Sequence, residues 1–157
     1  MASLIYRLRR FFGWLWKQEG SPGYRARGLA IGVFCGCFPF LGLQTLFGLA
    51  LASLLRGNPL LAASGTWISN PATYLPLYWL NYRVGAFLLG EKPSWNDFGQ
   101  FAWQDIWHQG WFVVFQLALG SLSVGFCSSL SIGLFVFLVL KGRRSSKSKK
   151  MTTKRFK

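Results

Sequence analysis

Charge is scarce in this sequence, and it is missing from long stretches. Only 14% of the 157 residues are charged, against about 25% in a soluble domain. No charged residue lies in 28–55, in 57–82 or in 111–140. Uncharged apolar runs beyond about 18 residues read as membrane segments, so a soluble globular fold is not expected. Acid is scarcer still, with four Asp and Glu against 18 Lys and Arg. There is a single histidine, His108, and the acids Glu19, Glu91, Asp97 and Asp105 all lie outside the apolar runs. Acid–base chemistry has little to work with, and the chain is not expected to be an enzyme. Asp105 and His108 share a helix face at i, i+3, but a metal centre wants three or four ligands, so no metal or cofactor is expected. Cys35 and Cys37 are two apart, which is neither a redox pair nor a zinc spacing. With Cys127 they sit in apolar runs as small buried thiols, consistent with a cytosol-facing protein without disulfides.

The charge that is present sits at the ends. Residues 1–27 hold six basic side chains and one acid, and the segment after Leu140 holds nine basic side chains and no acid. Between them lie only Arg56, Arg83 and Lys92 with three acids. Basic charge flanking apolar runs is the positive-inside pattern of a membrane protein, so nucleic acid is not the expected partner. Anionic lipid headgroups are. Both termini are then cytoplasmic, and the number of full crossings is even.

Within this frame three regions are expected. Residues 1–21 place Leu4, Ile5, Leu8, Phe11, Phe12, Leu15 and Trp16 on one stripe with Arg7, Arg10 and Lys17 opposite, an amphipathic interfacial helix or, equally, one packed against its own bundle. Residues 22–140 form the membrane domain, with apolar segments 28–55, 58–90 and 111–140 and an external loop over 91–110. Residues 141–157 are basic and almost without apolar side chains, and disorder is expected there.

The membrane segments are not simple rods. Residues 28–55 form a helix of about 42 Å if straight, longer than a core of about 30 Å, and Pro39 falls near the middle, where a helix breaks. The segment is either one tilted, kinked span or a re-entrant pair of half-helices. Gly28, Gly32 and Gly36 recur every four residues, a smooth face for close helix approach and a candidate contact in a homo-oligomer. Residues 56–69, RGNPLLAASGTWIS, read as another half-helix. Asn70 before Pro71 is an N-cap with proline at N1, so a helix runs from Pro71 to about Leu89, with Pro76 loosening its first turns. In the acidic loop Ser94 and Asp97 open a short helix, and Trp103, Trp107 and Trp111 form an interfacial stripe. The fold class is therefore all-α and polytopic, with two full spans plus a re-entrant or broken-helix hairpin. In the preferred arrangement 28–55 dips in and returns, which keeps Arg56 cytoplasmic, and 71–90 and 111–140 cross. The rival arrangement makes 28–55 the crossing and 57–82 the hairpin.

The candidate site residues are those that put polarity or charge at membrane depth. Arg83 ends one uncharged run and Arg56 another. Trp79, four residues before Arg83, offers a cation–π contact. Tyr74, Tyr78 and Asn81 form a polar-aromatic stripe, and the helix start at Asn70 favours anions. Arg83, Asn70, Tyr78, Asn81 and Arg56 thus make a candidate anion or lipid-headgroup site. The simpler role for both arginines is to anchor helices at lipid phosphates. Gln44, Thr45, Ser69 and Asn70 have the equally simple role of satisfying broken backbone.

The stretches GYRARGLAIGVFCGCFPFLGLQT (23–45), LLRGNP (54–59) and GTWISNPATYLPLYWLNYRVG (65–85) resemble the bacterial domain-of-unknown-function 2062 family. The resemblance covers residues 22–140 and implies a small bacterial integral membrane protein, with no catalytic residue or cofactor to carry over. Two functions are consistent with the whole sequence. One is a transporter-like or lipid-handling protein whose broken helices meet near the bilayer midplane. The other is a membrane scaffold or accessory subunit that binds lipid or a partner through its amphipathic and basic ends.

Overall fold

A computed structural model describes residues 19–40, 42–91 and 110–155, together with Gly13, with side chains as far as Gly142. The amphipathic segment 1–18, the 92–109 loop with its Ser94–Asp97 start and Trp103–Trp107 stripe, and residues 156–157 lie outside these. Every described element is helical.

The first helix, α1, runs over Pro22–Gly36. Ser21 caps it by accepting from the Tyr24 amide at 3.2 Å, and Pro22 occupies N1, where its missing N–H costs nothing. It ends because Pro39 has no amide to continue the ladder and because a residue before proline is pushed out of the helical region. The next helix, α2, runs over Leu43–Leu54 after Gly42, whose φ of 81° makes the turn. Segment 28–55 is thus two helices and not one kinked span. At 15 and 12 residues they are about 22 and 18 Å long, each shorter than a bilayer core.

Helix α2 closes in a Schellman motif. The Gly57 amide bonds the Ala52 carbonyl at 2.7 Å and the Arg56 amide bonds the Ser53 carbonyl at 3.3 Å. Then Asn58–Pro59 repeats the cap-then-proline device. The Asn58 Oδ1 accepts from the Leu60 and Leu61 amides at 3.0 and 3.1 Å, opening α3 over Pro59–Gly65, which tightens into a 3₁₀ turn over Thr66–Ile68.

Helix α4 spans Tyr74–Leu88, not Pro71 onward. The Asn70 cap exists, with Oδ1 accepting from the Ala72 and Thr73 amides at 2.9 and 3.1 Å. It closes a turn rather than opening the helix, and Pro76 falls within the first three helical positions, where an absent N–H breaks no bond. A second Schellman motif ends α4, with Gly90 at φ 78° and the Glu91 amide on the Ala86 carbonyl at 3.0 Å. Helix α5 runs from Gly110 to Arg155. It continues through the basic segment where disorder was expected. Lys, Arg and Met are good helix formers, no proline intervenes, and extension of an existing helix avoids the cost of nucleation.

Glycines decide how these helices meet. Gly28 lies against Asn58, Gly32 against Ala62 and Gly36 against Thr66 and Ile68. Two stripes of period four meet in the same order, so α1 and α3 run parallel. The Gly28–Gly32–Gly36 face is therefore covered by the chain's own α3 and is not the homo-oligomer contact expected from its smoothness. Gly125 faces Phe34 and Cys37, and Gly133 faces Ala30, so α5 runs antiparallel to α1. Gly120 meets Asn81 and Gly85 meets Gln116, so α5 is antiparallel to α4 as well. Helices α1 and α4 hence run the same way along α5, one beside residues 125–133 and the other beside 116–121. They form two half-helices set end to end.

Among the described residues, α5 alone is long and apolar enough to cross a membrane, with a mean hydropathy of 2.2 over its best window in Gly110–Gly142. Only 11% of that window is buried within the protein, whereas a soluble core helix would be mostly covered. Leu122, Phe126, Leu130 and Leu134 are exposed at every fourth position of α5, and Phe47 on α2 and Leu75 and Phe87 on α4 are exposed as well.

A Cβ at Gly32 would run into the Ala62 carbonyl. The Gly32→Leu variant should lose about 3 kcal/mol or more through overpacking, read as a lowered midpoint of thermal unfolding in detergent. Gly142 has open space around it, so Gly142→Ala should be neutral or gain up to about 1 kcal/mol.

Candidate functional site

The break after α1 leaves carbonyls that the helix no longer satisfies, and α4 supplies their donors. Asn81, fully buried, donates from Nδ2 to the Cys37 carbonyl at 2.7 Å and to Ser121 Oγ of α5 at 3.0 Å. A backbone carbonyl can only accept, so the amide nitrogen must face it and the orientation of Asn81 is settled. Tyr78, one turn earlier on the same face of α4, donates its hydroxyl to the Phe38 carbonyl at 3.2 Å. Its ring lies against Tyr74 with centroids 4.2 Å apart. Three separate elements thus converge on Cys37 and Phe38.

A second polar set joins α2 to the 3₁₀ turn. Gln44 Nε2 donates to Ser69 Oγ at 2.7 Å, and the hydroxyls of Thr45 and Thr66 share a hydrogen bond of 3.1 Å. Because Gly36 sits against Thr66, this set flanks the other side of the end of α1. The carboxamide oxygens of Asn81 and Gln44 are both buried, and neither accepts a hydrogen bond from any described residue. What the region offers is therefore neutral acceptors in an apolar surrounding. Such groups suit a ligand that donates hydrogen bonds, and leaving them unmet costs about 1–3 kcal/mol each. Among the described residues no three His, Cys, Asp or Glu side chains gather as a metal set.

The structure divides the residues singled out from sequence. Tyr78 and Asn81 belong to the break. Arg83 lies on another face of α4, with its guanidinium 4.9 Å from the centroid of the Trp79 ring, the contact that the i, i+4 spacing implied. Asn70 spends its side chain on its own turn. Arg56 is exposed and takes the left-handed position of the Schellman motif with φ 52°. Its neighbour Gly57 packs against Gly28 and Arg27, at the end of the bundle where α1 begins. Pro39 and Pro71 sit at the breaks, Pro76 lies in the first turn of α4, and Gly28, Gly32 and Gly36 sit at the α1–α3 contact. The five anion-site candidates therefore do not form one cluster. Ser121 and Gln116 escaped sequence reasoning. Gln116 is buried where α4 meets α5 and donates to Glu91 Oε2 at 2.8 Å. The only signal in the sequence was a polar side chain inside an uncharged run, beside the glycine Gly120.

The family described as an uncharacterized protein conserved in bacteria (DUF2062) matches residues 5–149. No curated protein and no solved structure matches the chain. With nearly the whole length matched, the chain belongs to the DUF2062 family.

Asn81→Ala should destabilise by about 1–3 kcal/mol, because it strands the Cys37 carbonyl, whereas Tyr78→Phe should cost about 0.5–1.5 kcal/mol. Equal thermal shifts for the two would show that the Asn81 bond does not hold the break. Arg56→Gly should retain or raise stability, by up to about 1–2 kcal/mol, since glycine carries no penalty in the left-handed region. A clear loss would mean that the arginine side chain has work of its own.

Proposed function

We propose that this member of the DUF2062 family is a multi-pass protein of the bacterial inner membrane. On this reading a small polar solute that donates hydrogen bonds is bound, and passed, at the broken-helix centre around Cys37, Asn81 and Ser121. The α1–α2 hairpin dips in from the cytoplasmic side and returns, α3 and α4 together cross outward, and α5 crosses back. The end of the bundle with Arg27, Arg56 and Lys141 is cytoplasmic, and the end with Glu91 is external. The lengths of α1 and α2, the covered glycine face and the distribution of charge support this arrangement. So does the depth of the centre: Gly125, which faces the end of α1, stands at the middle of the uncharged run 111–140.

The observation that carries the solute reading is the buried acceptor oxygen of Asn81 at that depth. In apolar surroundings a polar group without a partner is expensive, and non-helical backbone at membrane depth is tolerated only against protein or a wet cavity. Broken half-helices meeting near the midplane are also the way many transporters build their binding sites.

The test is reactivity of single cysteines, in a background lacking Cys35, Cys37 and Cys127, towards a small, charged, membrane-impermeant thiol reagent. Asn96→Cys should label in intact cells and Arg56→Cys only after permeabilisation. At mid-depth, Ser69→Cys should react and be protected by the transported solute, while Leu122→Cys, on the exposed face of α5, should stay inert. If Ser69→Cys is as inert as Leu122→Cys, the centre is a sealed structural element and the solute reading fails. If Leu122→Cys reacts readily, α5 does not lie in lipid.

A further inference from the structure

A groove of about 410 Å³ runs between the first half of α1 and the last membrane turns of α5, away from the broken-helix centre. Its floor is made of small residues, among them Gly23, Ala26 and Ala30, and its wall of Leu130, Leu134 and Phe137. The shape follows from the sequence. Gly133 lets α5 approach Ala30 closely, and beyond that contact the small side chains of α1 do not reach the large ones of α5. The volume is that of a small-molecule site, and too little for another helix, which is about 10 Å across.

Cations stand at the groove and nowhere along its floor. Arg27, exposed, lines one side. Lys141 is exposed one turn beyond Phe137 with its amine 5.8 Å from the centroid of that ring. The nearest acid in the sequence is Glu19, eight residues before Arg27 and exposed. An apolar slot with one cation on its side and a second beside its last aromatic ring matches one molecular class, an acyl chain attached to an anion. We propose that the groove holds one acyl chain of an anionic phospholipid of the cytoplasmic leaflet, whose phosphate is bound by Arg27 and Lys141. This rests on the membrane reading above but not on the solute site. It also moves lipid recognition away from Arg83, whose guanidinium stacks on Trp79 at the other end of the bundle.

The experiment is lipid retention by the purified full-length protein, measured by native mass spectrometry after exchange into detergent with phosphatidylglycerol or phosphatidylcholine of the same acyl chains. The wild type should hold phosphatidylglycerol on the order of tenfold more tightly, as expected for two cations at a headgroup. Arg27→Ala combined with Lys141→Ala should bring the two lipids to within about twofold of each other. Gly23→Leu adds bulk where the glycine has open space and should lower retention of both lipids while both cations remain. Equal retention of the two lipids by the wild type would overturn the proposal. So would a preference that survives the double substitution, which would assign it to other basic residues, or retention unaffected by Gly23→Leu. Extraction of cell membranes at alkaline pH separates the two levels. A chain washed out of the membrane sinks the membrane reading and this site with it. A chain that stays in the membrane but shows no phosphatidylglycerol preference sinks this site alone.

Discussion

A helix that stops inside an apolar bundle leaves carbonyl groups with nowhere to go, and the rest of this fold is arranged around that constraint. Pro39 ends α1 where α4 and α5 pack against it, so the carbonyls of Cys37 and Phe38 need protein donors. They find them 40 or more residues away, in Tyr78 and Asn81. Those donors are placed there because α4 starts at the level where α1 ends and runs on in the same direction along α5. The break in one helix and the position of the other are a single structural fact, and Ser121 on α5 ties both to the long helix.

Close backbone approach makes that arrangement possible. Where glycine faces a neighbouring main chain, as Gly32 does Ala62, Gly85 does Gln116 and Gly120 does Asn81, the helices sit nearer than side chains would permit. Packing of this kind needs no water to drive it, because its gain lies in contact between surfaces and not in escape from solvent. It also explains why so few large side chains are buried while so many lie exposed on α2, α4 and α5. The interior is built from small residues and polar side chains, and the bulky apolar ones face outward, the reverse of a soluble domain.

Much of this was legible in local sequence. Pro39 and the Asn70–Pro71 pair marked a helix break and a helix start to within a few residues. Asn58–Pro59 carries the same cap signal inside the stretch read as a half-helix. The Trp79–Arg83 pair followed from a spacing of four. The five anion-site candidates lie apart because polarity and charge alone do not say which face of a helix a residue takes. Tyr78 and Asn81 are three apart and share a helix face, while Arg83, two beyond Asn81, is turned by more than half a revolution. The helix after Leu140 leaves no mark in hydrophobicity, which is low there, and propensity suffices once a long helix is already formed.

By itself the sequence determined the local terms: where helices begin, where they break, which stretches avoid charge, and where along the chain the cations lie. Each of these depends on a few neighbouring residues, through capping, the missing proline amide and the cost of burying charge. The tertiary structure alone decided which faces meet. The glycine stripe of α1 could equally have served a second copy of the chain, and it is α3 that covers it, because Asn58, Ala62 and Thr66 repeat the same period at matching depth. Likewise the partner of the Cys37 carbonyl lies 44 residues distant. No local preference encodes such a contact, since it exists only once α5 has brought the two half-helices end to end.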